Sequence, residues 1–185
     1  WLKGVSDKPE NCASVSQTEL DHILSARPSF PAIQKVPWLK LLRLRPFWAV
    51  LMLHFSANWF LYVIVSWLPS YLMMERHFSL ANMTIGSTLP FVSALLSSNI
   101  WAVLIDHLSK TRNRIRVRKA FLIPFICATG ILLFVPRVSS PIGTVILLCV
   151  SMSLFTSVIS IYTSGSTELA PRYAGTVGGV QNCFA

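Results

Sequence analysis

The side chains best suited to chemistry in this sequence stand inside stretches that otherwise resemble hydrocarbon. The segment HFSANWFLY places His54 and Asn58 four residues apart, and Tyr62 and Ser66 continue at the same interval. Further along, Ser153, Thr156, Ser160, Thr163, Ser164 and Thr167 recur at steps of three and four. On a helix, each spacing collects its members into one polar stripe along one face. Imidazole, amide and hydroxyl groups arranged in this way offer hydrogen bonds to a solute or to a neighbouring helix. They do not form an acid–base pair, because no Asp or Glu lies in the same stretches, and proton-transfer catalysis needs a matched donor and acceptor. The structural alternative for the hydroxyls is bonding back to their own helix. For Trp59 and Tyr62 it is packing.

The elements carrying these stripes follow from composition. Of 185 residues, 53% are hydrophobic and only 12% charged, with mean hydropathy +0.57, far from the roughly 25% charged residues of soluble domains. Asp, Glu, Lys and Arg are absent from 46–74, 78–105, 120–136 and 138–167. A helix needs about 20 apolar residues to cross a bilayer, so these stretches predict four spanning helices in an all-α polytopic membrane protein. The weak alternation of barrel strands is missing. The spans differ in character. The second carries Gly86, Pro90, Ser93, Ala94 and Ser97, which suit close helix contact, whereas the third offers only Thr129 and Gly130 and is expected to face lipid. Pro69, Pro90 and Pro124 interrupt helical hydrogen bonding and can bend the spans.

Net charge is +9, which raises the question of nucleic acid, but the placement of the cations answers it. Lys3, Lys8, Arg27, Lys35, Lys40, Arg43 and Arg45 precede the first span, and Lys110, Arg112, Arg114, Arg116, Arg118 and Lys119 lie between the second and third. The other two loops hold Arg76 and Arg137 alone. This is the positive-inside pattern, predicting 1–45 and 106–119 in the cytosol and 75–81 and 137–141 on the far side. No interleaved aromatics or nucleic-acid motif accompany the charge, so no nucleic-acid partner is expected. Cys12, Cys127, Cys149 and Cys183 lack metal-ligand spacing and are read as reduced packing residues, with no metal site. Asn82-Met83-Thr84 matches a glycosylation sequon but abuts a span, and is read as the start of a helix.

Before the first span, a soluble linker contains Ser16-Gln17-Thr18-Glu19, a capping box that predicts a short amphipathic helix over about 17–26 against the cytosolic face. Trp1 and Leu2 read as the end of an earlier span. The sequence opens without Met and ends at Ala185 within another apolar segment, so it is expected to be a piece of a larger protein.

The string ELAPRYAGTVGGVQN, with Glu168, Pro171, Arg172, Gly175 and Asn182, resembles the segment between the tenth and eleventh helices of the anion:cation symporter branch of the major facilitator superfamily. That branch includes sialin, vesicular glutamate transporters, type I sodium–phosphate cotransporters and plant plastid-type anion transporters. SVSQTEL…KVPW, RPFWAVLMLHFSANWFLYVIVSWLPSY, STLPF and IDHL…RVRK match in the same order, so the resemblance covers essentially the whole sequence. It implies the C-terminal half of a 12-helix bundle: residues 1–45 as the end of helix 6 and the central cytosolic linker, and 46–185 as helices 7 to 10 and the start of helix 11.

In that family helices 7 and 10 line the cavity, and they are the two with polar stripes here. The resemblance therefore implies that His54, Asn58, Trp59, Tyr62, Ser66, Ser160, Thr163 and Ser164 are substrate-pathway candidates. Strongly polar side chains in a span usually face the bundle interior or a water-filled path. The alternative is a buried pair bonding a neighbouring helix. Asp106, Arg118, Lys119, Glu168 and Arg172 are the gating candidates, the motif carboxylate pairing with an arginine or a helix end in one conformer and releasing it in the other. A solvated loop that only sets orientation is the rival reading. Glu168 and Arg172, four apart, could pair if helical, but Pro171 favours a gate at a helix end.

Departures from the family pattern bear on the substrate. Vesicular glutamate transporters have arginine where this sequence has Ala57, several members have asparagines where it has Thr163 and Gly165, and Ala102 replaces the glycine of the loop motif, keeping Asp106 and tightening the turn. The implied function is secondary active transport of inorganic phosphate or a small organic anion, coupled to H⁺ or Na⁺ by alternating access. No other cofactor is expected. The partners implied are the lipid bilayer, a small anion and the missing N-terminal half, which would hold the acidic coupling residues and most anion-binding arginines. Plasma membrane, vesicle, lysosome and plastid stay open. A membrane sensor or scaffold without flux is the alternative, and a membrane-embedded transferase, which would have to rely on Asp106 and His107, is the more remote one.

Overall fold

The computed structural model describes residues 10, 12, 15–26 and 36–185, and among these there are helices and no strands. The chain divides into two units, Trp1–Val36 and Pro37–Ala185. In the first, α1 spans Gln17–Ala26, the predicted range. The Glu19 N–H donates to Ser16 Oγ at 3.3 Å, which forms the serine arm of the capping box. The expected end of an earlier span at Trp1 and Leu2 lies outside the described residues, as does 27–35.

The second unit contains α2 (Trp38–Leu42), α3 (Arg45–Met74), α4 (Leu80–Thr111), α5 (Arg114–Ala120), α6 (Leu122–Leu132), α7 (Pro141–Phe155), α8 (Ile159–Leu169) and α9 (Ala174–Phe184). Four runs are long and apolar enough to cross a membrane: Arg45–Met74, Leu80–Thr111, Arg114–Arg137 and Pro141–Leu169. Each overlaps one of the four charge-free stretches and runs on past it into charged residues. At about 1.5 Å per residue, the first is about 45 Å long against a hydrocarbon core of about 30 Å, so its ends reach beyond the hydrocarbon.

The ends of these helices have local causes. Ser79 caps α4 by accepting from Asn82 N–H at 3.3 Å, so Asn82 of the sequon sits in the first helical turn. Ser140 caps α7 in the same way through Gly143 N–H. Pro124 falls in the first turn of α6, where its missing N–H costs nothing, and the helical run is interrupted just before it at Phe121. Pro69 and Pro90 stay inside α3 and α4 without ending them. Ala102 does not tighten a turn, and Asp106 is not in a loop, because α4 runs on to Thr111. No glycine or proline stands between Ala102 and Arg112 to stop it. The chain reverses instead at Arg112 and at Asn113, whose side chain caps α5 by accepting from Ile115 and Arg116 N–H at 3.0 and 3.4 Å.

The main core joins α3 to α6 and α7. Ala57, Phe60, Ile64, Leu68 and Leu72 pack with Ala128, Leu148, Met152 and Phe155. Phe60 stacks on Phe155 at 4.8 Å and meets Phe125 edge-on at 6.0 Å. A second cluster of Ile105, Val117, Phe121 and Ile161 lies toward the basic end. α4 meets α7 through small residues. A Cβ on Gly86 would stand 3.3 Å from Leu72 and 3.4 Å from Val145, and Ser93 Oγ donates to Cys149 O at 3.0 Å. Large apolar side chains such as Trp67, Leu95, Ile100 and Ile126 remain more than half exposed, the outward face expected of helices solvated by lipid.

Candidate functional site

The α3–α8 contact is where polar chemistry enters the bundle. The buried arc of α3 is Phe47, Leu51, His54, Ala57, Phe60, Ile64, Leu68 and Leu72, so an imidazole occupies a position that grease fills elsewhere. His54 is 7% exposed and its ring lies parallel on Tyr162 of α8, with centroids 4.2 Å apart. Its Nδ1 is buried without a hydrogen-bond partner among the described residues. The Gln181 side chain of α9, itself buried, reaches across to donate to Tyr162 O at 3.1 Å. α3 and α8 come this close because Gly165 has no side chain: a Cβ there would stand 2.9 Å from Val50 Cγ2.

The other pathway candidates on α3 leave this contact. Asn58 is half-buried, while Tyr62, Ser66 and Trp59 are exposed. A step of four residues advances about 400° around a helix, so each repeat drifts about 40°, and three repeats carry Ser66 about a third of a turn away from His54. The interval of four sets neighbours on one face, but not the whole series. Trp59 lines an apolar cleft of about 560 Å³ with Phe55, Val63, Phe125 and Leu132.

The hydroxyls of the fourth span serve two purposes. Ser151 Oγ donates to Ala128 O at 2.8 Å, Ser157 Oγ to Phe121 O at 3.1 Å, and Thr156 Oγ1 bonds Ser97 Oγ at 2.9 Å, tying α7 and the turn after it to α4, α6 and the Phe121 junction. A 3₁₀ turn at Thr156–Val158 separates α7 from α8. There the Ser153 carbonyl accepts from Trp101 Nε1 at 2.7 Å and from Thr156 Oγ1 at 2.8 Å, so α4 holds the backbone at the point where the helix changes pitch. Beyond the turn, Ser160 is half-buried and Thr163 Oγ1 donates to Ile159 O within its own helix. Sequence reasoning passed over Ser151, Ser157, Tyr162 and Gln181. Ser151 falls outside the three-and-four series, Ser157 fits it at four after Ser153 and three before Ser160, which was the signal available, and the other two are defined only by partners on other helices.

At the basic end, Arg118 of α5 grips Glu168 of α8 with two hydrogen bonds of 2.7 Å and donates to Ser164 Oγ at 2.9 Å. Ser164 Oγ in turn donates to Ser160 O at 2.7 Å. Arg114 approaches the same carboxylate at 3.6 Å. Glu168 does not pair with Arg172: α8 ends at Leu169, and Ala170, outside the helical region before Pro171, breaks the four-residue geometry. Asp106, Lys119 and Arg172 are exposed and make no ion pair among the described residues. At the opposite end, Arg76 donates to Tyr71 Oη at 2.7 Å, to Val138 O at 2.7 Å and to Val135 O, fastening the end of α3 to the link before α7. Among the described residues, no three His, Cys, Asp or Glu side chains gather as metal ligands would, and Cys127, Cys149 and Cys183 are free thiols.

Four apolar helices packed through small residues, with polar groups buried between them, define a multi-pass integral membrane protein. Residues 5–185 match the model of the Major Facilitator Superfamily, and the chain belongs to that superfamily. Its relatives agree with the anion:cation symporter branch. It is 28% identical over 186 residues to "Probable anion transporter 6" of Oryza sativa subsp. japonica, covering 98% of this chain and 44% of that protein. It is 30% identical over 190 residues to "Sialin" of Homo sapiens, covering 100% and 38%. It is 32% identical over 195 residues to "Sodium-dependent phosphate transport protein 3" of Homo sapiens, covering 100% and 43%. The chain thus spans about two fifths of the length of these relatives.

Proposed function

We propose that this chain is the C-terminal half of a secondary active transporter that moves inorganic phosphate or a small organic anion, coupled to H⁺ or Na⁺, by rocking of two helical halves about a central site. On this reading, α3, α4, α5–α6 and α7–α8 are helices 7 to 10 and α9 begins helix 11. The observation that carries the proposal is the buried His54 ring with its unbonded Nδ1, held between α3 and α8 beside Tyr162. A buried polar atom without a partner costs about 1–3 kcal/mol, and in a membrane span such a group marks a functional path more often than a packing accident. The names of the relatives support anions as the solute class. The four charge-free stretches supply hydrogen-bond donors and no fixed charge, so charge neutralisation would fall to the half of the protein outside this chain.

The test is flux in proteoliposomes containing the full-length protein, with labelled phosphate or an organic anion and an imposed Na⁺ or H⁺ gradient. Gradient-driven uptake is expected. Binding without uptake would instead establish a sensor or scaffold. Asn58→Ala and His54→Ala should each raise KM about tenfold, the equivalent of one lost hydrogen bond of about 1–1.5 kcal/mol. Variants with normal KM and reduced abundance would show that the pair only packs the helices.

A further inference from the structure

The cleft between the end of α4 and the start of α5 has no part in the pathway or in the Arg118–Glu168 pair. Its volume is about 450 Å³, within the range of small-ligand sites. It is lined by Arg112 and Arg116, both exposed and so at its rim, by Val117 and Phe121, both buried and so its floor, and by Leu108 and the exposed Ala120 between them. The floor is firm: Val117 and Phe121 belong to a buried cluster, and Trp101 meets Phe121 edge-on at 5.6 Å.

Charge at this end is unbalanced. Between 110 and 119 there are six cations, and among the described residues Glu168 engages only Arg114 and Arg118. Arg112 and Arg116 are exposed and have no acidic partner among the described residues. No Asp or Glu lines the cleft. The site is therefore cationic at its mouth and apolar at its base.

That polarity has a direction. The charge-free stretch begins at Ala120 and Arg112 and Arg116 precede it, so a bilayer entered there would set Ala120 and Phe121 against hydrocarbon and the two arginines at the headgroups. A free inorganic anion gains nothing from an apolar floor. An amphiphile that carries phosphate above and acyl chain below satisfies both parts, and clusters of Lys and Arg directly outside a span attract anionic lipid. We infer that this cleft is a binding site for the headgroup and upper acyl chain of an anionic phospholipid, held by Arg112 and Arg116.

The experiment uses the full-length transporter, equilibrated in phosphatidylcholine vesicles containing a minority of phosphatidylglycerol, then extracted and weighed by native mass spectrometry to count retained lipid. Phosphatidylglycerol should be retained over phosphatidylcholine. Arg112→Gln with Arg116→Gln should weaken that retention about 30-fold, each cation near an anionic surface contributing a factor of about five. Arg137→Gln removes one cation at the opposite end and should change nothing. Ala120→Trp puts a bulky ring on the cleft lining while keeping both arginines, and it too should reduce retention. Unchanged retention in the double variant overturns the assignment, as does equal retention of both lipids. Displacement by inorganic phosphate as readily as by short-chain phosphatidylglycerol also overturns it, since the acyl chain would then contribute nothing.

Discussion

Gly165→Ala sets helix propensity against packing in one atom. Alanine is favoured over glycine in a helix by about 1 kcal/mol, so on an open face the change would stabilise α8. Here the new Cβ would stand 2.9 Å from Val50 Cγ2 and 3.2 Å from Val50 Cγ1. Carbon atoms prefer about 3.5–4.0 Å, so α3 and α8 must part by about half an ångström or Val50 must turn. Its β-branched side chain has essentially one comfortable rotamer in a helix, which closes the second route. Overpacking of this kind costs about 1–3 kcal/mol, and after the propensity gain Gly165→Ala should destabilise the bundle by about 1 kcal/mol. Val50→Ala removes both offending methyl groups. In that background alanine at 165 meets no obstacle, keeps its propensity gain and should stabilise by about 0.5–1 kcal/mol.

The prediction is thus a reversal of sign, with a coupling of about 1–2 kcal/mol between two positions 115 apart in sequence. Denaturant unfolding of the full-length transporter in one detergent, for wild type, both single variants and the double, measures it. Because Val50 lies one turn before His54 and Gly165 three residues after Tyr162, Gly165→Ala should also weaken the His54–Tyr162 stack and raise KM for the anion. The same sign of stability change in both backgrounds would refute the close helix approach from which the argument starts.

Two further outcomes are expected. Cysteine at Asn113 should react with impermeant reagent from the cytosolic side and cysteine at Ser139 from the other, and labelling of both from one side would overturn the orientation drawn from the cation count. Arg76→Gln should lower unfolding stability by about 2–3 kcal/mol through loss of charged hydrogen bonds to Val135, Val138 and Tyr71, with KM unchanged, while unaltered stability would show that the clasp contributes nothing.

The spans could be read from sequence because the bilayer imposes a requirement on each stretch separately: about 20 residues without charge, whatever their partners. The first capping serine and the break before Pro124 are also local chemistry. What the sequence could not disclose depends on partners elsewhere in the chain. The 3₁₀ turn at Thr156–Val158 arises where Trp101, 52 residues earlier, takes the Ser153 carbonyl, and nothing near Thr156 announces it. Glu168 has an obvious mate in Arg172 by interval, yet its actual partner is Arg118, 50 residues away. His54 and Ser66 look equivalent in a series of fours, but helical drift buries one and exposes the other.

The partner choice of Glu168 also changes what a gate at the basic end must be. Arg118 and Glu168 lie on α5 and α8 of the same unit, so rocking that unit as a body leaves their separation unchanged. The pair alone is a tie, worth on the order of 1 kcal/mol for side chains still 25% and 44% exposed. A switch requires a competitor from outside the unit that engages Glu168 in one state and leaves it to Arg118 in the other. The geometry leaves room for one, since the carboxylate is half exposed and its second contact, Arg114 at 3.6 Å, is long and 69% exposed. Asp106, exposed and without an ion pair among the described residues, offers the complementary carboxylate to a cation on the same competitor. On this argument Glu168→Gln should shift the balance between inward- and outward-facing states in the full-length transporter, whereas a tie alone would change stability and leave that balance in place. Accessibility of single cysteines at the two ends, measured with and without substrate, separates the two outcomes.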